Sequence, residues 1–163
     1  MNPITEIIDL KTVEKARKHL HQHPELSEQE EQTSKFIFAF LSEQAPKAHL
    51  TRLNCFGVLA CFDSQKDGPS TLIRVDIDAL PIQETNSFEH RSKFPGISHK
   101  CGHDGHTAIG LGLAMFLNTN SPKSGKVYII FQPAEEVGRG ALKVLDQQEF
   151  KDLKFDFAYA LHN

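Results

Sequence analysis

A chain of 163 residues, 39% hydrophobic and 24% charged, has the size and composition of one folded domain that buries a core without disulfide or metal staples. Its net charge of −3, with no long basic run, excludes the electrostatic footprint of a nucleic-acid or anionic-membrane binder. Three cysteines, Cys55, Cys61 and Cys101, make no disulfide framework, and no window has the apolar length of a signal peptide or a membrane span, so the expected location is cytoplasmic.

The first predicted element is a helix from Lys11 to Gln22, with Val13, Ala16 and Leu20 at helical spacing and Pro24 as its stop. The turn after it holds His21 and His23, read as turn and surface residues. Ser27-Glu28-Gln29-Glu30 matches a capping box, and Phe36, Ile37, Phe40 and Leu41 give the second helix its apolar stripe. Two strand-like runs follow, Gly57 to Phe62 and Thr71 to Val75. They are joined through Asp67-Gly68-Pro69, and a hairpin is predicted. Cys55 and Cys61 flank the first run and read as small core hydrophobes.

The second run continues into Asp76-Ile77-Asp78, where alternation puts both carboxylates on one side of the chain, either as a turn device or as support for an ion. Thr107 to Leu117 is a helix apolar nearly all round and so expected to be buried. Val127 to Phe131 is a central strand, Gly140 to Leu145 begins another helix, and Phe155 to Leu161 is the last strand. Strands alternating with helices predict an α/β fold. Its sheet should be mixed but largely parallel at the centre, with helices on both faces and ligands beyond the carboxyl ends of the strands.

The densest chemistry lies in His99-Lys100-Cys101-Gly102-His103-Asp104-Gly105-His106, which gathers a thiol, imidazoles and a carboxylate around two glycines. Cys101 and His103, two residues apart, would face different sides of a helix, so the spacing predicts a turn. A borderline-soft divalent ion such as zinc accepts this donor mixture, whereas calcium and magnesium want oxygen alone. Further donors follow strand-like runs, Glu135 and Glu136 in Gln132-Pro133-Ala134-Glu135-Glu136, and His162 near the end. A glycine-rich loop with incidental histidines, and an acidic turn at the glutamates, are the bland alternatives. A thiol enzyme using Cys101 with a histidine base is another, although it leaves the two glutamates and His162 without a task.

These blocks, together with Leu20-His21 through His23-Pro24-Glu25-Leu26-Ser27 and Arg74-Val75-Asp76-Ile77-Asp78-Ala79-Leu80-Pro81, occur in the order found in the M20 metallopeptidase-like amidohydrolases. The chain resembles the branch that includes hippurate hydrolase, N-acetyldiaminopimelate deacetylase and the auxin-conjugate hydrolases. The resemblance implies a zinc-exopeptidase-like fold and a hydrolase of the amide bond of N-acyl amino acids. It implies two divalent ions (zinc, manganese, cobalt or nickel) in the full-length enzyme. By position, Cys101, His103, Glu136 and His162 correspond to metal ligands, Glu135 to the catalytic acid/base, and Asp78 to a carboxylate supporting the metal centre. Ser98 and Lys100 stand where many relatives carry methionine and alanine, so a cation beside the cysteine is expected to tune the site.

The same resemblance implies that residues 1–163 are the N-terminal portion of a catalytic domain, with a lid or dimerisation domain and a return segment bearing a last histidine not included. The fold is then expected to be incomplete, and any homodimer to form through that lid. The expected partner is a small N-acyl amino acid, with neither nucleic acid nor membrane. The alternative function is an inactive, truncated metal-binding remnant of such an enzyme.

Overall fold

The computed structural model describes residues 8–162, so the amino-terminal run read for a signal segment lies mostly outside the described residues. Five strands form one sheet in the order β1-β2-β4-β3-β5: β1 is His49–Arg52, β2 Val58–Asp63, β3 Thr71–Asp76, β4 Lys126–Gln132 and β5 Phe157–Ala160. Three long helices, α1 (Leu10–Gln22), α2 (Glu31–Gln44) and α3 (His103–Thr119), are joined by two short ones, α4 (Gly140–Leu145) and α5 (Gln148–Lys151). No helix among the described residues is long and apolar enough to cross a membrane.

Strand alternation sorts the core into two layers. Val58, Ala60, Phe62, Val75, Ile129 and Phe131 point to one face and pack with Ala16, Ile37, Leu41, Leu111 and Ala114 of the long helices. Leu59, Leu72, Tyr128 and Ile130 point to the other and pack with Val144 and Phe150 from the short helices, with Cys55 and Cys61 at the margin. The α/β expectation with helices on both faces therefore holds. The sheet is mixed: β4-β3-β5 run parallel, whereas β1-β2 and β2-β4 are antiparallel.

The predicted hairpin between the second and third strands does not form, because β4 lies between them, antiparallel to β2 and parallel to β3. The turn signal at Asp67-Gly68-Pro69 is local and does not decide which strand is a neighbour. Instead the connection is tied to the residue before β4, with Ser64 N donating to Gly125 O and Gly125 N to Lys66 O. Reaching a parallel neighbour from β3 requires a crossover, and α3 supplies it. The hairpin that does form is β1 with β2, whose turn is closed by Leu53 N donating to Gly57 O at 2.8 Å.

Two helix starts also differ from expectation. The capping box is not made: the N-cap of α2 is Glu30, without a side-chain cap, and its first turn is capped from Glu25, whose carboxylate accepts from Gln32 N at 3.2 Å and Thr33 N at 2.7 Å. Ser27 and Glu30 are drawn elsewhere, to Asp78 and Ala134. Helix α3 begins at His103, four residues before the predicted Thr107, and so carries part of the cysteine-histidine cluster on its first turn. It is buried over most of its surface, as expected, although Ile109 is exposed. β5 is exposed along its whole length, including Phe157 and Tyr159.

Candidate metal centre

The residues singled out by their chemistry gather beyond the carboxyl ends of β3 and β4, at the amino end of α3. Cys101 stands on the turn before that helix, Gly102 takes the left-handed conformation (φ 81°), and His103 opens the helix. Gly102 can do this because it lacks a Cβ. The result modifies the prediction of a purely turn-borne site, since the thiol comes from a turn and the imidazole from a helix start.

His103 is fully buried and its two ring nitrogens have different surroundings. Nδ1 lies 2.9 Å from the Asp78 carbonyl and 3.1 Å from Asp78 Oδ1, so it carries the proton. Among the described residues Nε2 has no hydrogen-bond partner, and neither does Glu136 Oε1, 3.6 Å away. Cys101, His103 and Glu136 offer one thiol sulfur, one imidazole nitrogen and one carboxylate oxygen, all within 4.8 Å of one another. Two buried orphaned acceptors facing a thiol are costly if left alone, and a borderline-soft divalent ion satisfies all three. Burial pushes the Cys101 thiol up to about 11, reinforced by Glu136 and Glu135. That argues against Cys101 as a free thiolate nucleophile, since nothing here but a cation favours the ionised sulfur.

Asp78 ties the centre together. Besides His103, its carboxylate accepts from Ser27 Oγ at 2.6 Å and from the backbone amide of Glu136 at 3.0 Å. Burial works against its ionisation, but the bonds from His103, Ser27 and Glu136 outweigh it and hold its pKa below the ordinary aspartate value. For His103 burial likewise opposes charge, while Asp78, Asp76 and Glu136 raise its pKa on balance. Asp76, also fully buried, accepts from His106 Nδ1 at 2.7 Å and from Arg74 Nη1 at 2.8 Å. The two aspartates do face one side, and each orients an imidazole. Asp76, His103 and His106 form a second group with donor atoms within 4.8 Å, but it shares His103 with the first and its Asp76 oxygens are already engaged.

Glu135 and Glu136 leave β4 through Pro133 and Ala134, and both bring a carboxylate oxygen to His103 Nε2, at 3.8 and 3.6 Å. Glu136 Oε1 is buried without a partner, whereas the Glu135 side chain is 27% exposed and its Oε2 lies 3.8 Å from His103 Nε2. His162 is exposed and stands outside the three-donor group, on a neighbouring cleft of about 360 Å³ lined also by Arg17, Gly102, Gly105 and His106.

Sequence reasoning missed a polar network behind the centre. His21, expected at the surface, is buried with Nδ1 2.9 Å from Asp104 Oδ2 and Nε2 3.2 Å from Glu84. The Asp104 bond is the main cause that raises the His21 pKa, against the opposing pull of burial. Lys100 reaches Glu84 at 2.6 Å, so its charge is spent on that carboxylate. Burial opposes ionisation of Glu84, yet Lys100, Ser92, Asn86 and His21 together bring it down to about 2. Ser98 donates to Ile82 O at 2.6 Å and is structural. His99 between them is buried with both ring nitrogens unpartnered, and burial pulls it down to about 4. Glu84 lies in an irregular segment with no periodic pattern, so nothing in the sequence marked it.

A mixed α/β sheet with thiol, imidazole and carboxylate donors at the carboxyl ends of its strands has the architecture of a metal-site protein. The family described as Peptidase family M20/M25/M40 matches residues 72–163, and the chain belongs to it. It is 43% identical over 161 residues to the N-acetyl-L-cysteine deacetylase of Bacillus subtilis, covering 96% of this chain and 38% of that protein. It is 44% identical over 137 residues to the N-acyl-L-amino acid amidohydrolase of Geobacillus stearothermophilus, covering 83% of this chain and 37% of that one. Among solved structures, a Bacillus subtilis dinuclear metal-binding peptidase of the M20 family superposes with a TM-score of 0.85 at 42% identity, covering 94% of this chain and 43% of that structure. The chain thus spans about two fifths of the length of these relatives.

Proposed function

We propose that this chain forms part of the catalytic domain of a metal-dependent amidohydrolase that cleaves the amide bond of N-acyl amino acids. The observation that carries this reading is the juxtaposition of two buried, unpartnered acceptors, His103 Nε2 and Glu136 Oε1, with the Cys101 thiol on one side and the part-exposed Glu135 carboxylate on the other. Cys101, His103 and Glu136 hold one divalent ion, and His162 on the adjoining cleft is assigned to a second. A divalent ion at this position acidifies water and polarises a carbonyl.

The chain's own residues do the rest. Asp78 accepts from His103 Nδ1, which keeps the proton off Nε2 and leaves that lone pair for the ion. Asp78 also fixes the Glu136 backbone, so one carboxylate sets two ligands. Glu135, a base of accessible geometry, takes the proton from the attacking water and returns it to the departing amine nitrogen. Adjacent glutamates divide the work because both reach His103 Nε2, Glu136 through a buried oxygen and Glu135 from the more exposed side chain.

The reading is tested with the complete enzyme that contains this sequence, using N-acetyl-L-cysteine, other N-acetyl amino acids and hippurate, with and without added manganese or zinc. The expected result is metal-dependent release of the free amino acid, lost on chelation and regained on metal return. Absence of hydrolysis across the series with metal bound would overturn it.

A further inference from the structure

Glu30 is fully buried at the amino end of α2, and its Oε1 accepts from the backbone amide of Ala134 at 2.7 Å, across 104 residues of sequence. Ala134 is the residue immediately before the glutamate pair. Its φ of 52° is in the left-handed region, which residues with a side chain rarely adopt. The strained residue is held from both sides, by Glu30 at its amide and by Arg139 N and Gly140 N at its carbonyl, the latter at 2.9 Å. Gly140 passes so close that a Cβ there would lie 1.6 Å from Pro133 O, so the loop closes tightly on itself. Among the described residues Glu30 Oε2 is buried without a partner, and no lysine or arginine bonds to this carboxyl.

We propose that Glu30 is a positioning residue for the glutamate pair, holding Ala134 in the left-handed turn that brings the Glu135 and Glu136 carboxylates together beside His103 Nε2. This rests on the reading of Glu136 as a ligand and Glu135 as the acid/base. The cause is the reach of an acceptor and not its charge. Without the turn, the chain leaving β4 continues in extended conformation and its successive side chains alternate differently about the strand end. Residues behind a metal centre that fix a ligand's direction affect affinity by about 10-fold to 100-fold.

The test is binding of Co²⁺ alone to the purified chain, followed by its thiolate-to-metal absorption and by affinity from competition with a chromophoric chelator. Glu30→Gln keeps the acceptor at the same reach, and its Co²⁺ affinity is expected within about threefold of the unmodified chain. Glu30→Asp keeps the carboxylate but shortens it, and is expected to bind Co²⁺ about tenfold more weakly with an altered spectrum. Circular dichroism and thermal melts on the same samples establish that each is folded. If Glu30→Asp does not fold, Ala134→Gly is added to it, because glycine adopts the left-handed turn without the cost. Equal affinity in the Asp and Gln forms, or a weaker Gln form, would overturn the proposal. Glu136→Gln is the control: if it leaves Co²⁺ binding unchanged the ligand reading itself fails, whereas a weakened control beside unaffected Glu30 variants refutes only the role of Glu30.

Discussion

Asp78 and Glu136 are joined through a bond from the Glu136 backbone amide to Asp78 Oδ2 at 3.0 Å, while the other oxygen of the same carboxylate lies 3.1 Å from His103 Nδ1. One side chain thereby fixes the direction of a carboxylate and the tautomer of an imidazole that face each other at 3.6 Å. Asp78→Ala frees the Glu136 backbone and removes the carboxylate from His103 Nδ1, which keeps only the Asp78 carbonyl at 2.9 Å. The expected result is a zinc affinity lower by about 10-fold to 100-fold in a chain that remains folded, measured by chelator competition beside a thermal melt. An unchanged affinity in the folded variant would show that the two groups are oriented by packing alone.

Cys101 tests the donor set directly. Its thiol is raised to about 11, so in the metal-free chain the sulfur is protonated at neutral pH and only a bound cation draws off the proton. Elemental analysis of untagged protein should show fewer metal equivalents in Cys101→Ala than in the unmodified chain, and metal loading of the latter should release protons into weakly buffered solution. Equal metal content in both would remove Cys101 from the centre.

The chemistry of the site was legible because Cys101 and His103 fall within three residues, and because Glu136 follows directly on an apolar strand. What local sequence could not convey was which partner each polar side chain would find. Ser27 and Glu30 have the spacing of a capping box, but their side chains bond to Asp78 and Ala134, 51 and 104 residues away. A cap contributes about 1 kcal/mol, and a buried carboxylate network that must be satisfied outweighs it. His21 was misread for the same reason, since Asp104 and Glu84 are 83 and 63 residues distant. The α/β class and its two-faced core followed from periodicity, whereas the insertion of β4 between β2 and β3 is a tertiary choice that no turn signal records.

Glu30 gives the fold a pH dependence of definite sign. Burial raises its carboxyl from 4.5 to about 7, opposed by the Ala134 amide and the neighbouring backbone and assisted by the negative charge of Asp78. Between these values the native chain holds a proton that the unfolded chain has released. The contribution is therefore fully present below about 4.5 and is lost as pH rises through about 7. Glu30→Gln has no proton to lose, so its melting temperature should fall less between pH 5 and pH 7.5 than that of the unmodified chain, in buffers on the order of 0.1 M ionic strength. Parallel pH profiles for the two proteins would mean that Glu30 is ionised in the fold throughout.

Glu135 and Glu136 should fail in different ways in the complete enzyme, although they are neighbours in sequence. Glu135→Gln keeps shape and removes basicity at a side chain that is 27% exposed, so metal content should be unchanged while kcat falls by about 10²-fold to 10⁴-fold. Glu136→Gln replaces a charged donor, with Oε1 3.6 Å from His103 Nε2, by a weaker neutral one. Its metal affinity should drop, and part of its activity should return when excess metal is supplied. Metal stoichiometry and kcat are measured together on both variants, because either alone confuses a lost base with a lost ion. A Glu135 variant that loses metal beside a Glu136 variant that keeps it would exchange the two assignments, with the carboxylate at 3.8 Å from His103 Nε2 as the ligand and the one at 3.6 Å as the base.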